Sequence, residues 1–282
     1  MAEILHVGIS TCFNYDIPFA RMVRLIRENR FDALSLGGER VSHSGYDTGE
    51  GRRLIRTILR EQDLILDSIH APIGEQTDIS SEDDEVRATG CAGIRSAVDA
   101  CSELESTVVV VHLNSRFDDK QYESRHSRVI RSLDELIPYA DCRGVKLAVE
   151  NLPRPVSMRL FDTILKRYPE LRVCYDSSHA FLNGTYFSGT SVGILKKYYD
   201  RVTTIHLSDG TRNVDDHLLP YEGKIDWNDF AGHFSRTTYR GTLLLEVEMK
   251  ATAYTDPAVF LSEAYERAAK LRSLFEKKVG QS

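Results

Sequence analysis

The sequence predicts an α/β fold, namely a single (β/α)₈ barrel in which residues 1–282 form one domain. Short apolar runs rich in β-branched residues recur eight times, and a longer segment of helical periodicity follows each of them. Several runs, such as VVVV, are apolar almost throughout, which is typical of strands buried on both faces of a parallel sheet. Eight such alternations indicate a closed barrel, a fold that commonly uses about 250 residues.

The predicted strands, in chain order, are residues 4–9, 33–36, 64–69, 107–111, 145–149, 172–175, 202–207 and 242–247. The predicted helices are residues 16–29, 51–62, a helix beginning near 81, and then 123–142, 157–168, 191–199, 227–235 and 257–277. We expect Ser81 to cap the third helix, with the acidic run after it at the positive end of the helix dipole. The alternative fold is a doubly wound open sheet, but GISTCFNYD after the first strand is not its glycine-rich phosphate turn.

Composition narrows the class of protein. A hydrophobic fraction of 41% is ordinary for a globular protein, and no apolar stretch reaches the roughly 20 residues that span a bilayer. The amino terminus MAEILHVGIS is not typical of a signal peptide, so we predict a cytoplasmic protein whose five cysteines are reduced and packed. The net charge of −6 argues against a dedicated nucleic-acid-binding protein. The sequence is compatible with a homo-oligomer.

Candidate metal ligands stand at the ends of six successive predicted strands, from the third to the eighth. They are, in order, His70, His112, Glu150, Asp176, His206 and Glu246. In a (β/α)₈ barrel the carboxyl ends of the strands converge on one face, where active sites of this fold are built. Imidazoles and carboxylates gathered over an apolar barrel are costly unless they are paired, and a cation pairs with all of them.

Two loops add candidates. His179 lies three residues beyond Asp176, and Asp215 and His217 are two residues apart, so that in an extended loop they point to the same side. The nitrogen and oxygen ligands without thiolate favour Zn, Mn, Co or Fe over Ca, and Mg also suits the carboxylate-rich part. The sequence therefore predicts a site for divalent metal ions.

These residues resemble the xylose-isomerase-like TIM-barrel superfamily, which also contains the endonuclease IV apurinic-site nucleases. The matching segments are SIHAP, VVVHLN, LAVEN, CYDSSHA, TTIHLSD, DDHLLPYEGKIDW and LLLEVE. In the sugar isomerase and epimerase branch, the resemblance implies one metal held by Glu150, Asp176, His206 and Glu246, with Glu150 and Glu246 also acting as the acid–base pair. Tyr221 stands where the common loop pattern of that branch has glycine.

In the endonuclease IV branch, three zinc ions share nine ligands, and all nine have equivalents here. The resemblance implies the set His70, His112, Glu150, Asp176, His179, His206, Asp215, His217 and Glu246. The sequence thus leaves the number of bound metal ions between one and three per chain. Against nuclease activity, Asp216 stands where the nuclease pattern is basic, the segment after strand four is His-Leu-Asn rather than His-Pro-Gly, and strand three ends in HAPIG rather than HDSY.

We therefore predict an isomerase or epimerase that acts on a small sugar, a sugar phosphate or a related polyol. The alternatives are an apurinic-site phosphodiesterase, a metal-dependent dehydratase of the same superfamily, and a metal-bearing barrel without catalysis. Loop residues near the predicted face are candidates for substrate binding: Arg116, Arg154, Arg212, Lys224, Tyr221 and Trp227.

Overall fold

The structure is a computed structural model that describes residues 5–183, 192–211 and 214–279. Eight parallel strands form one sheet in the order β7-β6-β5-β4-β3-β2-β1-β8. Their bounds are β1 Val7–Ser10, β2 Ala33–Leu36, β3 Ile65–His70, β4 Val108–Val111, β5 Lys146–Glu150, β6 Arg172–Asp176, β7 Val202–His206 and β8 Leu243–Leu245. All eight predicted strands are present, with ends that differ from the prediction by at most a few residues.

The two outer strands of this order approach each other and close the barrel. A parallel bridge joins Leu207 to Leu245. The Leu207 N–H donates to the Leu244 carbonyl oxygen at 2.8 Å, and the Glu246 N–H donates to the Leu207 carbonyl oxygen at 3.1 Å. The predicted (β/α)₈ barrel is confirmed, and a doubly wound open sheet is excluded.

The helices surround the strands. Their bounds are α1 Phe19–Glu28, α2 Val41–Ser44, α3 Gly49–Gln62, α4 Asp84–Glu103, α5 Tyr122–Asp141, α6 Pro155–Arg167, α7 Ser177–Leu182, α8 Gly193–Lys197, α9 Trp227–Phe234 and α10 Pro257–Val279. The short helices α2 and α7 were not predicted. The expected Ser81 cap is wrong: the Asp83 carboxylate accepts from the N–H groups of Glu85 and Val86 and begins α4. Within the described ranges, no helix has the length and apolar character that crossing a membrane requires.

Strand alternation divides the apolar residues between two cores. Val109 and Val111 of β4 belong to the large core between the sheet and the helices. Val108 and Val110 instead pack with Ala148 and Cys174 inside the barrel. Because side chains two residues apart share a face of a strand, residues that continue these interior rows at the carboxyl ends of the strands point toward the barrel axis. The fold thereby aims the ends of β5 and β6 at a common centre.

Candidate metal centre

The nine predicted ligand residues meet at the carboxyl end of the barrel. Ligand atoms in each of four groups lie within 4.8 Å of one another, and the groups are His70-His112-Glu150, Glu150-Cys174-His206, His179-Asp215-His217 and Glu150-Asp176-His206-Glu246. Glu150 belongs to three of them. The structure thus brings together every residue of the predicted ligand set and adds Cys174, which sequence reasoning did not consider as a neighbour of the site.

Glu150, at the end of β5, lies at the centre of the cluster and is 2% exposed. Its Oε2 atom lies 3.2 Å from His70 Nε2 and 3.4 Å from His112 Nε2, and its Oε1 atom lies 3.1 Å from His179 Nδ1. Burial acts to raise the pKa of the Glu150 carboxyl, but the imidazoles around it, those of His206 and His112 foremost, hold that pKa well below its ordinary value. Glu150 is therefore a carboxylate at neutral pH.

The fourth group joins the ends of β5, β6, β7 and β8. His206 Nδ1 lies 2.9 Å from Glu246 Oε2 and 3.2 Å from Glu150 Oε2. Cys174 is buried beside His206, and burial raises the pKa of its thiol well above the ordinary value. The thiol thus stays protonated, so the anionic groups of this set are its carboxylates.

The third group is built by the loop after β7 together with α7. Asp215 bridges two imidazoles: its Oδ2 lies 2.9 Å from His179 Nε2, and its Oδ1 lies 3.2 Å from His217 Nε2. Burial acts to lower the pKa of His217, but Asp215 outweighs it and raises the pKa to about 10. Without a cation, this imidazole is therefore protonated at neutral pH and serves as the counter-charge of Asp215.

Three of the histidines are oriented by backbone carbonyl groups. The Nδ1 atoms of His70, His179 and His217 lie 2.8, 2.9 and 2.9 Å from the carbonyl oxygens of Ala71, Asn151 and Glu246, respectively. A carbonyl oxygen only accepts, so each Nδ1 must carry the hydrogen, and in the neutral ring Nε2 then keeps the lone pair. Each Nε2 faces a carboxylate of the cluster. This arrangement is typical of histidines that bind metals.

The donor set fits a divalent cation. Among the described residues, the fully buried Asp176 Oδ2 has no hydrogen-bond donor, and His206 Nδ1 makes no well-aligned hydrogen bond to the carboxylates near it. Buried polar atoms without partners are costly, and a cation between them would satisfy both. Nitrogen and carboxylate oxygen donors suit Zn, Mn or Co, and the carboxylate-rich group also suits Mg.

The cavity at this centre has an empty volume of about 530 Å³. Seven of the nine residues line it, all except Asp176 and His206, and the lining also includes Cys12, Tyr15, Glu39 and Glu248. Sequence reasoning missed these four. The signal that could have found three of them is the same positional one, because residues 12 and 39 follow the first two strands and residue 248 follows the eighth.

A further residue that sequence reasoning missed, Asp209, organises the loop after β7. Its carboxylate is fully buried and accepts four hydrogen bonds: from the N–H groups of Gly210 and Ile225 on Oδ1, and from the Tyr221 N–H and the Trp227 indole on Oδ2. These distances lie between 2.8 and 3.0 Å. Asp209 therefore holds the segment that carries Asp215 and His217 against the barrel.

The predicted substrate-binding residues lie elsewhere. None of Arg116, Arg154, Lys224, Tyr221 and Trp227 lines the cavity of the metal centre. Arg116 and Lys224 are exposed, and Arg154 precedes α6. Trp227 is 3% exposed because its indole packs on the loop and donates to Asp209, and the ring of Tyr221 lies 6.1 Å from it. Arg212 falls outside the described residues.

Comparison with known proteins identifies the family of this chain and proteins of similar structure. Residues 23–270 match the family described as xylose isomerase-like TIM barrel. The uncharacterized protein y4fM of Sinorhizobium fredii is 25% identical over 296 residues, which cover 95% of this chain and 92% of that protein. A structure of a D-tagatose 3-epimerase-like protein superimposes with a TM-score of 0.80 at 22% identity over 98% of this chain and 100% of its own. E. coli 3-keto-D-glucoside 4-epimerase YcjR, in its apo form, has a TM-score of 0.73 at 16% identity over 95% and 99%.

Proposed function

This chain belongs to the xylose isomerase-like TIM barrel family, and on that premise we propose that it is a divalent-metal-dependent isomerase or epimerase of a small carbohydrate. The observation that carries the proposal is the convergence of Glu150, Asp176, His206 and Glu246 on one buried point, at the base of an open cavity. Several proteins with similar structures are sugar epimerases or resemble them, among them D-psicose 3-epimerase and L-ribulose 3-epimerase, and they support the same activity.

The two glutamates of this group are suited to proton transfer. A bound divalent cation supplies polarisation of the substrate carbonyl and of the adjacent hydroxyl, which acidifies the carbon between them. Glu150 reaches the centre from β5 and Glu246 from β8, with β6 and β7 between these strands, so the two carboxylates approach from different sides. One carboxylate removes the proton from this carbon and the other returns it. His206 Nδ1 lies between the two, 3.2 Å from Glu150 Oε2 and 2.9 Å from Glu246 Oε2.

The acid–base proposal is tested with Glu246→Gln. Removal of the proton acceptor is expected to lower turnover by about 10²- to 10⁴-fold, the usual contribution of general acid–base catalysis. Glu276→Gln changes an exposed glutamate of α10 in the same way and is expected to keep turnover. Turnover of both variants is measured as deuterium exchange from solvent into a panel of ketoses, followed by NMR. Turnover that survives in Glu246→Gln would remove this residue from the mechanism.

A second candidate is cleavage of phosphodiesters at apurinic sites, and one observation favours it. The groups His70-His112-Glu150 and His179-Asp215-His217 accompany the central group, so the cluster offers donors for more than one metal ion. Against it, Glu39 and Glu248 line the cavity and would repel a phosphate backbone.

One measurement separates the candidates. The protein is purified without chelator, its metals are counted per chain, and a duplex with one abasic site is offered beside the ketose panel. One Mn, Co or Mg ion with deuterium exchange supports the isomerase. Three zinc ions with strand cleavage would replace it by the nuclease, and a strongly absorbing unsaturated product would replace it by a dehydratase.

A further inference from the structure

A second open cavity adjoins the metal centre. Its empty volume is about 880 Å³, and it is lined by residues 12–16, 39, 40, 248–250, 252 and 254, which we call the outer groove. It shares Cys12, Tyr15, Glu39 and Glu248 with the cavity of the metal centre. The two cavities are therefore continuous, and the outer groove extends from the metal centre across the ends of β1, β2 and β8.

Tyr15 stands at the junction of the two cavities. Its hydroxyl group is buried and finds no hydrogen-bond acceptor among the described residues. The position is built for this hydroxyl, because a Cβ atom at residue 37 would lie only 2.2 Å from it and Gly37 has none. A buried donor without an acceptor is costly, and an oxygen of a ligand that passes through the junction would satisfy it.

The charges of the outer groove disfavour an anionic ligand. Three carboxylates line it, those of Asp16, Glu39 and Glu248, against two cations. Both cations are already paired: Lys250 Nζ lies 3.0 Å from Glu248 Oε1, and Arg40 Nη1 lies 3.7 Å from Asp16 Oδ1. A phosphate would therefore meet a net negative surface whose cations have partners.

The neutral groups of the outer groove suit a hydroxyl-rich ring. The Asn14 amide donates only to the sulfur of Met249, at 3.5 Å, which is a weak acceptor. Tyr15 and Tyr254 add aromatic rings to the walls. Aromatic faces combined with a few polar groups and carboxylates bind uncharged polar molecules by contact and by hydrogen bonds.

We propose that the outer groove binds a second, uncharged glycosyl unit, so that the substrate is a glycoside or disaccharide whose reacting unit lies at the metal centre. This inference rests on the proposed function, which it narrows by excluding sugar phosphates. The reacting unit occupies the inner cavity, the glycosidic linkage passes Tyr15, and the second ring contacts residues 248–254.

Binding calorimetry on the metal-loaded full chain tests the inference. The probes are maltose, cellobiose and sucrose, their component monosaccharides, and glucose 6-phosphate and fructose 6-phosphate. At least one disaccharide is expected to bind ten times more tightly than its monosaccharides and than both phosphates. A smaller preference for every disaccharide, or tighter binding of a phosphate, overturns the inference.

A matched pair of variants locates the binding. Lys250→Trp fills the outer groove from a side chain that is 78% exposed, so the fold is expected to tolerate it. Lys120→Trp makes the same change at an exposed lysine that lines neither cavity. The preference for the disaccharide should fall at least threefold in Lys250→Trp and stay unchanged in Lys120→Trp. A smaller fall in Lys250→Trp, or an equal fall in both, overturns the inference.

Failure of the inference is distinguishable from failure of the proposed function. A disaccharide preference without deuterium exchange in any sugar would remove the isomerase activity and leave the outer groove as a glycoside site. Deuterium exchange in a free ketose without any disaccharide preference would keep the activity and overturn the outer groove alone.

Discussion

Two aspartates at the carboxyl end of the barrel are equally buried and differ in hydrogen bonding. Asp209 accepts four hydrogen bonds, two on each carboxylate oxygen. Asp176 accepts from the His179 N–H and the Ser178 hydroxyl on Oδ1, and its Oδ2 has no donor within the described part of the chain. A saturated carboxylate has no capacity left for a ligand, whereas an unsatisfied one among imidazoles does. Burial alone therefore does not distinguish a candidate metal ligand from a structural carboxylate, whereas the number of unused lone pairs does.

The largest expected effect follows from removing the carboxylate of Asp176, the candidate metal ligand of this pair. Asp176→Asn removes an anionic donor, and turnover should fall at least about 10³-fold because several kcal/mol of transition-state stabilisation are lost. Stability without metal should change by less than about 1 kcal/mol, since asparagine still caps α7 through its oxygen. Metal content and unfolding by urea with chelator measure both effects. Full metal content with normal turnover would contradict the assignment of Asp176 as a ligand.

The next largest effect is expected from a change at Asp209, the carboxylate with four hydrogen bonds. Asp209→Asn replaces a carboxylate that accepts four bonds with an amide that has one acceptor oxygen, which strands N–H donors in the interior. The free energy of unfolding should fall by about 3 kcal/mol. Asp63→Asn, on a side chain that is 95% exposed, should change it by less than about 0.5 kcal/mol. Equal stability of the two variants in urea would show that Asp209 does not hold the loop.

Removal of the metal sharpens the contrast between the two variants. A cation present at 100 times its dissociation constant stabilises the folded state by about 2.7 kcal/mol. Chelator should remove this increment from the wild type and from Asp209→Asn, and it should have almost no effect on Asp176→Asn. The measurement is the unfolding midpoint with and without chelator. An undiminished chelator effect in Asp176→Asn would place the cation elsewhere.

The smallest effect tests Trp227. Trp227→Phe removes the indole donor to Asp209 and some packing, so stability should fall by about 1–2 kcal/mol. Because Trp227 does not line the cavity, metal content and KM should stay as in the wild type. A raised KM with unchanged stability would instead return Trp227 to substrate binding, which was its predicted role.

The sequence alone predicted the strands, most of the helices and the meeting of nine candidate ligand residues at one end of the barrel. That was possible because strand periodicity and the parallel arrangement of a barrel determine where each strand ends, so residues such as Glu150 and His206 could be assigned to one face without coordinates. Whether this cluster holds one metal or three, and which metal it prefers, stays a prediction.

Only the tertiary structure decided how each polar side chain is satisfied. Asp176 and Asp209 look alike in the sequence, and their difference arises from donors that fold against them from residues 178–179 and 221–227. The arrangement of Tyr15, Glu39 and Glu248 around the cavity likewise depends on β2, β1 and β8 lying side by side in the sheet. Local patterns set strand ends because backbone geometry is local, whereas three of the four hydrogen bonds to Asp209 come from Tyr221, Ile225 and Trp227, which reach it only when the loop folds back.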